Sequence, residues 1–357
     1  MAEEEKQQEQ TAEAMGILYG RKWLIQIYKP AYKENENGEK ERDTENDTAI
    51  DVSDLRCIFN VKKDVNSFIT IGTLVIYNLT AETEKGIIEE GFQISIFAGY
   101  EQGQYGEIFT GDIVQVIRNR EDGINYKLEI LAAHAIKEFS WNFIRSSVAA
   151  NSTARQRAEE ACKQADTPIE VDEISENIPD QPLPRGKIFF GKPFKYLRDI
   201  AIHNNAFFEL NSGEKVSMHG LNDEIPENMC IEVAPESGLV GTPKYTDNGI
   251  IIKTLLDPRI KPWTLVKINN EIIQRTLINI DPQMKTSQGT NGTEKASNEQ
   301  KNQKTMFDED GEYAALSVTY QGDTWGDEWS TEIVGLSRNG RSGLFTAISQ
   351  ADQSVQA

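Results

Sequence analysis

The sequence predicts a mainly β protein with two β-barrel domains and a small α+β insert between them. Short segments with period-two alternation recur at intervals of roughly 10–15 residues, which is typical of barrels and sandwiches. The middle of the chain differs, because its apolar residues follow helical spacing. Two long polar segments, Lys33–Asp47 and Asp281–Asp310, interrupt the β regions, and we expect each to be a loop excursion.

Composition limits the classes of function. The chain has 357 residues, enough for two to three domains, and a formal net charge of -20. That charge argues against general binding to nucleic acid or to an anionic membrane, because phosphate affinity needs concentrated Lys and Arg. It does not argue against nucleic acid passing the protein, since an acidic lining repels phosphates. No apolar run reaches the ~18–20 residues of a membrane-spanning segment.

The termini and cysteines indicate a protein made in the cytoplasm. Residues 1–16 are polar and acidic, the opposite of a secretory signal, and they are expected to be disordered. Cys57, Cys162 and Cys230 lie far apart with no paired spacing. The sequence therefore predicts reduced thiols rather than a disulfide framework or a zinc site.

The first β-barrel domain is predicted over residues 17–135. A short helix over Ala81–Glu90 ends at Gly91, a favourable C-cap residue. The strands are inferred from alternating or β-branched runs, which are Trp23–Tyr28, Leu55–Val61, Phe68–Tyr77, Gln93–Ala98, Phe109–Val114 and Tyr126–Ile130.

The α+β insert is predicted over residues 136–227. Asn151 or Ser152 can cap a helix that runs to Ala165 with a stripe of small residues. A second helix carries Pro193 in its first turn, where the missing N–H costs nothing. The segments Ala206–Leu210 and Lys215–Met218 then form a hairpin.

The second β-barrel domain is predicted over residues 228–335, with the long polar loop at 281–310 and a flexible C-terminal tail at 336–357. A turn at Gln321–Asp327 joins the last two strands. The predicted strands are Ile231–Val233, Ile250–Leu255, Leu265–Ile268, Glu271–Ile280, Ala314–Tyr320 and Trp329–Gly335.

Only one cluster offers catalytic chemistry. Asp323, Asp327 and Glu328 stand beside Trp325 and Trp329, and paired carboxylates around an aromatic platform are typical of glycosidases. The alternative is a wide β-turn with an aromatic corner, because Asp and Gly are the residues such a turn requires. The sequence favours the turn.

No cofactor or metal site is predicted. His134, His203 and His219 share no metal spacing, and neither acidic segment has the spacing of an EF-hand loop. The glycines of Gly99–Gly106 lie between two strands, so they mark a hairpin turn and not a phosphate cradle. The Gly238–Pro243 corner and the strand and turn up to Pro258 contain no His, no Cys and no carboxylate pair facing a nucleophile, which favours a structural role.

Several motifs follow one another along the chain in a specific order. They are Leu74–Thr80, Ile94–Tyr100, Ile108–Ile113, Arg185–Gly191 with Tyr196–Leu197, Gly238–Pro243 through Leu256–Pro262, Gly322–Asp323 and Glu328–Ile333. In this order they resemble the central baseplate hub proteins of contractile-tailed bacteriophages. The resemblance covers most of residues 17–335, and Trp263 departs from it where a glycine turn is expected after Pro262.

The resemblance implies a structural virion protein without catalytic residues. Each chain would supply two tail-tube-like barrels, and a homotrimer would form a ring of six. That ring would join the sixfold tail tube protein to the threefold central spike protein, beside other baseplate proteins and the tape-measure protein, in the tail baseplate of the virion. DNA would pass through the channel without specific binding.

The same resemblance assigns structural roles to ten motif residues. They are Asn78, Gly99, Tyr100, Phe109 and Gly111 in the first domain and Gly238, Gly241, Pro243, Gly249 and Pro258 in the second. Two alternatives stay open. One is the hub of a related injection machine, such as a pyocin or a secretion-system spike complex. The other is a tail-associated cell-wall hydrolase.

Overall fold

The chain forms two compact units in a computed structural model. The first unit comprises Met1–Glu224, Leu256–Arg259 and Thr319–Thr331, and the second comprises Ile225–Leu255, Ile260–Val318 and Glu332–Ala357. The structure describes residues 20–34, 40–134 except 66, 68 and 122, 142–166, 168–178, 182–204, 206–210, 215–220, 223, 230–246, 249–268 and 311–337.

The first unit begins with an antiparallel sheet whose strand order is β3-β4-β7-β6-β5-β1-β2. Helix α1 (Ala81–Glu90) connects β4 to β5; the Thr80 hydroxyl accepts from Thr83 N at its start, and Gly91 N donates to Ile87 O at its end. The strands are β1 (Arg21–Glu34), β2 (Lys40–Asp51), β3 (Cys57–Asp64), β4 (Ile71–Tyr77), β5 (Gln93–Tyr100), β6 (Tyr105–Glu121) and β7 (Asn125–Ala133).

Two strand pairs extend further than the sequence predicts. The segment Lys33–Asp47, expected as an irregular excursion, lies largely in the β1–β2 hairpin, whose pairing reaches Glu34↔Lys40. Strand β6 has 17 residues because its pairing with β7 continues to Glu121↔Asn125. Backbone hydrogen bonds hold both extensions, and such bonds do not require the apolar alternation by which strands are detected.

The insert contains a two-stranded antiparallel sheet, β10-β8, and a three-stranded sheet in the order β11-β12-β9. Thr153, rather than Asn151 or Ser152, caps the first helix, because a capping box pairs Thr153 with Gln156. The elements are β8 (Ile144–Val148), α2 (Ala154–Lys163), β9 (Val171–Ile174), β10 (Lys187–Gly191), α3 (Pro193–His203), β11 (Ala206–Leu210) and β12 (Val216–Gly220).

One apolar core holds the insert together. The small residues of α2 lie on its buried side, as the helical stripe predicts. Aromatic and aliphatic side chains from the rest of the insert fill the space around them. The largest contributors to this core are Phe189, Phe194, Leu197, Ile200, Phe208 and Met218.

The second unit is also built from strands. Strand β15 pairs with β14 and β18, β18 with β17, and β16 pairs antiparallel with β17 and parallel with β13. The part of β17 and β18 within Thr319–Thr331 belongs to the first unit, where β17 is hydrogen-bonded to β3. The strands are β13 (Cys230–Val233), β14 (Lys244–Thr246), β15 (Gly249–Leu255), β16 (Leu265–Ile268), β17 (Glu312–Asp323) and β18 (Trp329–Ser337), with a 3-10 turn at Pro235–Ser237.

The prediction of a mainly β chain with a small α+β insert is confirmed. The predicted final turn is shorter than expected, because β17 continues to Asp323. The three-domain boundaries and the closure of the β regions into barrels stay predictions. The predictions for residues 1–16, Glu271–Ile280, 281–310 and 338–357 lie outside the described residues. Within the described part of the chain, no helix is long and apolar enough to cross a membrane.

Candidate functional site

The carboxylate of Asp323 is held in place at the end of β17. Arg56 donates to it from Nη2 at 2.7 Å and from Nε at 3.3 Å. The backbone N–H of Trp325 donates to Oδ1 of the same carboxylate at 3.0 Å, and Asp323 N donates to Glu328 O at 2.8 Å. These bonds close the turn between β17 and β18, as an Asx turn does.

Opposing effects act on the pKa of Asp323, and hydrogen bonding prevails. Burial acts to raise the pKa, because it disfavours the charged form. The hydrogen bonds from Arg56 and from the backbone N–H groups of Trp325 and Gly326, together with the charge of Arg56, lower it below its ordinary value. Asp323 is therefore an ionised structural carboxylate at neutral pH.

Further bonds fasten the same turn to β3 and β1. Thr324 Oγ1 accepts from Cys57 N at 2.9 Å and donates to Leu55 O at 3.2 Å, while Thr324 N donates to Cys57 O at 3.0 Å. The Arg21 guanidinium donates to the carbonyl of Asp327 at 3.0 Å. The Asp323 carboxylate, the Thr324 hydroxyl and the Asp327 carbonyl therefore attach the turn to these strands.

The two tryptophans of the turn occupy different environments. Trp329 is 2% exposed and packs edge-on against Trp23 and Phe59, with centroid distances of 5.8 and 5.6 Å. Trp325 is 70% exposed. A sugar-binding platform needs accessible ring faces, which the buried ring of Trp329 does not offer. A glycosidase acid needs a raised pKa, whereas the pKa of Asp323 is lowered. The geometry thus favours the aromatic-corner interpretation.

The histidines are separated in the structure. His134 Nδ1 lies 2.9 Å from Thr110 O, and His203 Nδ1 lies 2.5 Å from Asp199 O. The His219 ring packs on Phe207 with centroids 5.5 Å apart. Among the residues that the structure describes, no group of three or more His, Cys, Asp or Glu could hold a metal ion.

The two buried cysteines have little thiolate character. Burial raises the pKa of both Cys57 and Cys162 to about 12. The nearby carboxylates Asp323 and Asp51, for Cys57, and Glu159, for Cys162, act in the same direction. Since the thiolate is the reactive form, both residues are core side chains rather than nucleophiles.

The motif residue Phe109 packs over two glycines. A Cβ atom placed on Gly72 would lie 2.7 Å from this ring, and one on Gly111 would lie 2.6 Å from it. Gly72 belongs to β4, and Phe109 and Gly111 belong to β6. The spacing of Phe109 and Gly111 thus reflects a close approach of an aromatic ring to two strands, which only glycine permits.

Asn78 terminates β4 with a left-handed backbone. Its φ is 54°, a conformation in which Asn is favoured among non-glycine residues. Its N–H donates to Tyr126 O at 2.9 Å, and its Oδ1 accepts from Tyr126 N at 3.3 Å. One residue therefore makes both hydrogen bonds to the start of β7.

Gly99 and Tyr100 form the β5–β6 hairpin end. A Cβ on Gly99 would lie 2.0 Å from Gln104 O, so a side chain there is sterically excluded. Tyr100 N donates to Gln104 O at 3.0 Å. Burial raises the pKa of Tyr100 to about 12, although Arg21 and a hydrogen bond with the Leu256 backbone lower it. Tyr100 is therefore a neutral, buried phenol.

The Gly238–Pro243 corner depends on two left-handed glycines. Gly238 has a φ of 102° and Gly241 a φ of 74°. Leu255 N donates to Gly238 O and Val240 N to Lys253 O, both at 2.7 Å, which fixes the corner along β15. Among the residues that the structure describes, no atom beyond the chain neighbours lies within 4 Å of a Cβ built on Gly241, so it is the backbone angle that favours glycine there.

Three further motif residues and Trp263 lie in the same region of the sequence. Pro243 is buried after the corner, and Gly249 begins β15 opposite Thr246. Pro258 is buried in the first unit, 3.5 Å from a Cβ built on Gly106. Trp263 has a φ of 68°, so the backbone is left-handed, a conformation that favours glycine, although the residue is tryptophan.

Comparison with solved structures identifies proteins with a similar fold. A 43 kDa tail protein of prophage MuSo2 from Shewanella oneidensis matches with a TM-score of 0.51 and 9% identity, over 90% of this chain and 98% of the other. The Escherichia coli c3393 protein matches with a TM-score of 0.51 and 8% identity, over 80% of this chain and 74% of the other. That protein is described as a component of the type VI secretion system with structural similarity to T4 bacteriophage tail proteins gp27 and gp5.

This chain has the fold of these tail and secretion proteins. At such low identity the similarity concerns the fold alone. No protein-family model matches the sequence, and no curated protein is similar to it in sequence. The resemblance inferred from the ordered motifs is therefore confirmed as a resemblance of fold.

Sequence reasoning missed the partners of the Asp323 turn. Arg56 lies 267 residues before Asp323, and Arg21 lies 305 residues before Gly326. The residues Asp323–Gly326 indicate a turn, but they do not show which distant arginine side chain binds the carboxylate or the carbonyl groups of that turn. The roles of the ten motif residues in assembly stay a prediction.

Proposed function

We propose that this protein is the central hub of a contractile tail baseplate, in which three copies form a ring with pseudo-sixfold symmetry. The observation that carries the proposal is the fold similarity to the MuSo2 tail protein, which spans 90% of this chain and 98% of that protein. The agreement over nearly the whole length of both chains matters because the similarity then does not rest on one segment alone.

Symmetry gives the reason for this architecture. A chain with two tube-like β domains presents six such domains when three copies close into a ring. One side of the ring can then match a sixfold tail tube protein, while the other side matches a threefold central spike protein. Other baseplate proteins and the tape-measure protein are the further partners, and no cofactor or catalytic step is needed.

Two features would serve contacts and transit. The long β1–β2 hairpin and the polar segment 281–310 would contact neighbouring rings in the virion tail baseplate. The net charge of -20 would line the channel with acidic groups, so that DNA passes without specific binding during ejection.

The hub of a related injection machine is the second candidate. The similarity to a type VI secretion component with a TM-score of 0.51 favours it. Both candidates require the same ring, so assembly cannot separate them. Genes for capsid and terminase proteins beside the coding gene would favour the phage, and genes of a secretion system would favour the alternative.

Native mass spectrometry and light scattering of the full chain test the ring. We expect a threefold species, alone or after mixing with the central spike protein. A chain that stays monomeric and joins neither tube nor spike protein would exclude the hub. Zymography on peptidoglycan tests the hydrolase; lytic activity that Asp327→Asn or Glu328→Gln abolishes would replace the proposed function.

A further inference from the structure

Helix α1 is attached to the rest of the first unit by few apolar contacts. Of its 10 residues only Glu84 and Ile87 are buried, and Ile88 is 49% exposed. In the described part of the chain, no backbone hydrogen bond joins residues 81–90 to a strand. Segments with few buried apolar contacts are the ones that open locally while the remainder of a protein stays folded.

The sequence of α1 also gives little intrinsic helical stability. Isolated helices shorter than about 12–15 residues are marginal in water, and α1 has 10 residues. Gly86 lies in its middle and lowers its helix propensity. No basic residue lies in its last turn, where the charges of Glu89 and Glu90 oppose the helix dipole. A cation supplied from outside the helix would therefore stabilise α1.

Two ion pairs, which we call the latch pairs, hold α1 to two different strands. Near its start, the Glu84 carboxylate lies 2.8 Å from Arg118 Nε on β6, and the Glu84 side chain is only 10% exposed. At its end, the Glu90 carboxylate lies 3.3 Å from Lys29 Nζ on β1. Gly86 leaves the space for the Lys29 side chain, since a Cβ built on this glycine would come within 3.1 Å of Lys29 Cε. The latch pairs thus supply cations that α1 lacks at its end and neutralise its buried carboxylate.

The chain is anchored to the sheet on both sides of α1. Before the helix, Asn78 N donates to Tyr126 O at 2.9 Å. After the helix, Phe92 N donates to Tyr28 O at 3.1 Å, and Phe92 O accepts from Ile113 N at 2.8 Å. The segment between these two anchors can therefore leave the sheet without breaking a strand pair.

We propose that α1 is a lid on the first unit, which the latch pairs hold closed and which opens as one piece while the sheet stays folded. Opening would uncover Ile87, which is fully buried in the closed lid, and the part of β1 against which α1 packs. The lid is a property of a single chain and does not rest on the proposed hub function.

Salt should control the lid, because each latch pair has one partner that is more than half exposed. These partners are Arg118 and Glu90. The Debye length falls from about 10 Å at 0.1 M ionic strength to about 3 Å at 1 M, so added salt screens pairs of this kind. The ladders of β4 and β5 consist of backbone hydrogen bonds and provide the reference within the same molecule.

Hydrogen exchange of the full-length chain, measured by mass spectrometry of its peptides, tests the lid. We expect the amides of α1 to exchange at least about tenfold faster than those of β4 and β5, because the lid opens without them. Between about 0.1 M and 1 M salt, exchange in α1 alone should rise at least about threefold. Exchange that is equally slow in α1, β4 and β5, or that salt changes equally in all three, would overturn the lid.

Two variants test the latch at Glu84. Glu84→Gln removes the charge of the buried carboxylate and should speed the exchange of α1 at least about fivefold, with β4 and β5 unchanged. Arg118→Gln should do the same although it keeps Glu84 at the helix start, where a negative charge favours the dipole. A loss of protection in Glu84→Gln alone would show that the dipole, and not the latch pair, holds α1.

The matched control is Lys85→Gln. It removes the ion pair of Lys85 with Glu89, which lies on the exposed side of the same helix with its atoms 3.8 Å apart. Such pairs contribute little, so exchange in α1 should change by less than about twofold. An effect as large as that of Glu84→Gln would mean that any loss of charge frays the helix, and it would overturn the latch.

A thiol probe reports opening independently of amide exchange. In the variant Ile87→Cys the introduced thiol is buried under the closed lid, and its alkylation by iodoacetamide is followed in the peptide that contains position 87. Peptides with the three native cysteines are read separately. We expect faster alkylation at high salt and when Glu84→Gln is added. An alkylation rate that neither change alters would overturn the proposal.

Discussion

Replacement of Gly322 by alanine should destabilise the first unit, although alanine is a small residue. Gly322 lies in β17, and a Cβ built on it would be 2.3 Å from Cζ, 2.5 Å from Cε1 and 3.0 Å from Cε2 of Phe59. Phe59 is buried, and its ring packs edge-on against Trp329 at 5.6 Å. The ring therefore has a close neighbour on another side.

The magnitude follows from the overlap. Carbon atoms in contact lie about 3.5–4.0 Å apart, so the ring or the strand must shift by about 1 Å. Overpacking of this kind costs about 1–3 kcal/mol, and overlap with three ring atoms places it near the upper end. The loss of glycine's freedom in the unfolded chain returns about 0.4–1 kcal/mol. We expect a net loss of about 2 kcal/mol.

Urea unfolding followed by tryptophan fluorescence measures this loss, since Trp23 and Trp329 lie beside the altered site. Gly106→Ala is the matched control, because its Cβ would meet Pro258 at an ordinary contact distance of 3.5 Å. Phe59→Leu supplies the second arm of a double-mutant cycle. The double variant should be more stable than the two separate losses predict, by about 1–2 kcal/mol.

Two results would refute the reasoning. If Gly322→Ala unfolds at the wild-type urea concentration, the chain relaxes around the Cβ at no cost. If the losses of Gly322→Ala and Phe59→Leu are additive, contact with the Phe59 ring is not what requires glycine at this position.

Three further predictions concern the turns. Asp323→Asn should cost about 1–2 kcal/mol at neutral pH, discounted for the partly exposed Arg56. Since the pKa of Asp323 is lowered in the folded chain, the stability that its carboxylate contributes is present above about pH 4 and is lost as the pH falls through the folded-state pKa. The melting temperatures of wild type and Asp323→Asn should therefore converge in acid. A difference that stays constant with pH would contradict this. Gly241→Val should lower the free energy of unfolding by at least about 1–2 kcal/mol and impair ring assembly, because a φ of 74° strains a valine backbone. Gly241→Asn should lose less stability in the same melts. Equal losses for the two variants would exclude backbone strain as the cause. Asn78→Ala should cost about 1–2 kcal/mol by removing the bond to Tyr126 N, and wild-type stability of the variant in urea would show that this bond contributes nothing.

Local sequence signals located most of the described elements. Gly91 marks the end of α1 and Pro193 the start of α3, because each signal concerns backbone groups within one helical turn. The ends of β1 and β6 were missed, because their residues are mostly polar. Strands are recognised in a sequence by the alternation of apolar and polar residues, and these ends do not show it. The cap of α2 was misplaced by one or two residues, since Asn151, Ser152 and Thr153 are all good caps and only Thr153 has Gln156 three residues later.

The candidate site was only half predictable. The sequence marks Asp323–Asp327 as a turn, but the choice between a catalytic and a structural carboxylate depends on Arg56 and the backbone donors around it. Likewise, the spacing of Phe109 and Gly111 is visible in the sequence, whereas the approach of the ring to Gly72 is not. Contacts between distant segments arise from topology and leave no local pattern.

The sequence by itself determined the mainly β class, the helical insert and the glycine, proline and asparagine positions that end strands. These features depend on backbone geometry and on burial along one segment. Only the tertiary structure decided that the acidic turn is fastened by Arg56 and that Trp263 adopts a left-handed turn. Each of these depends on which distant strand lies opposite, and that is set by the packing of the whole unit.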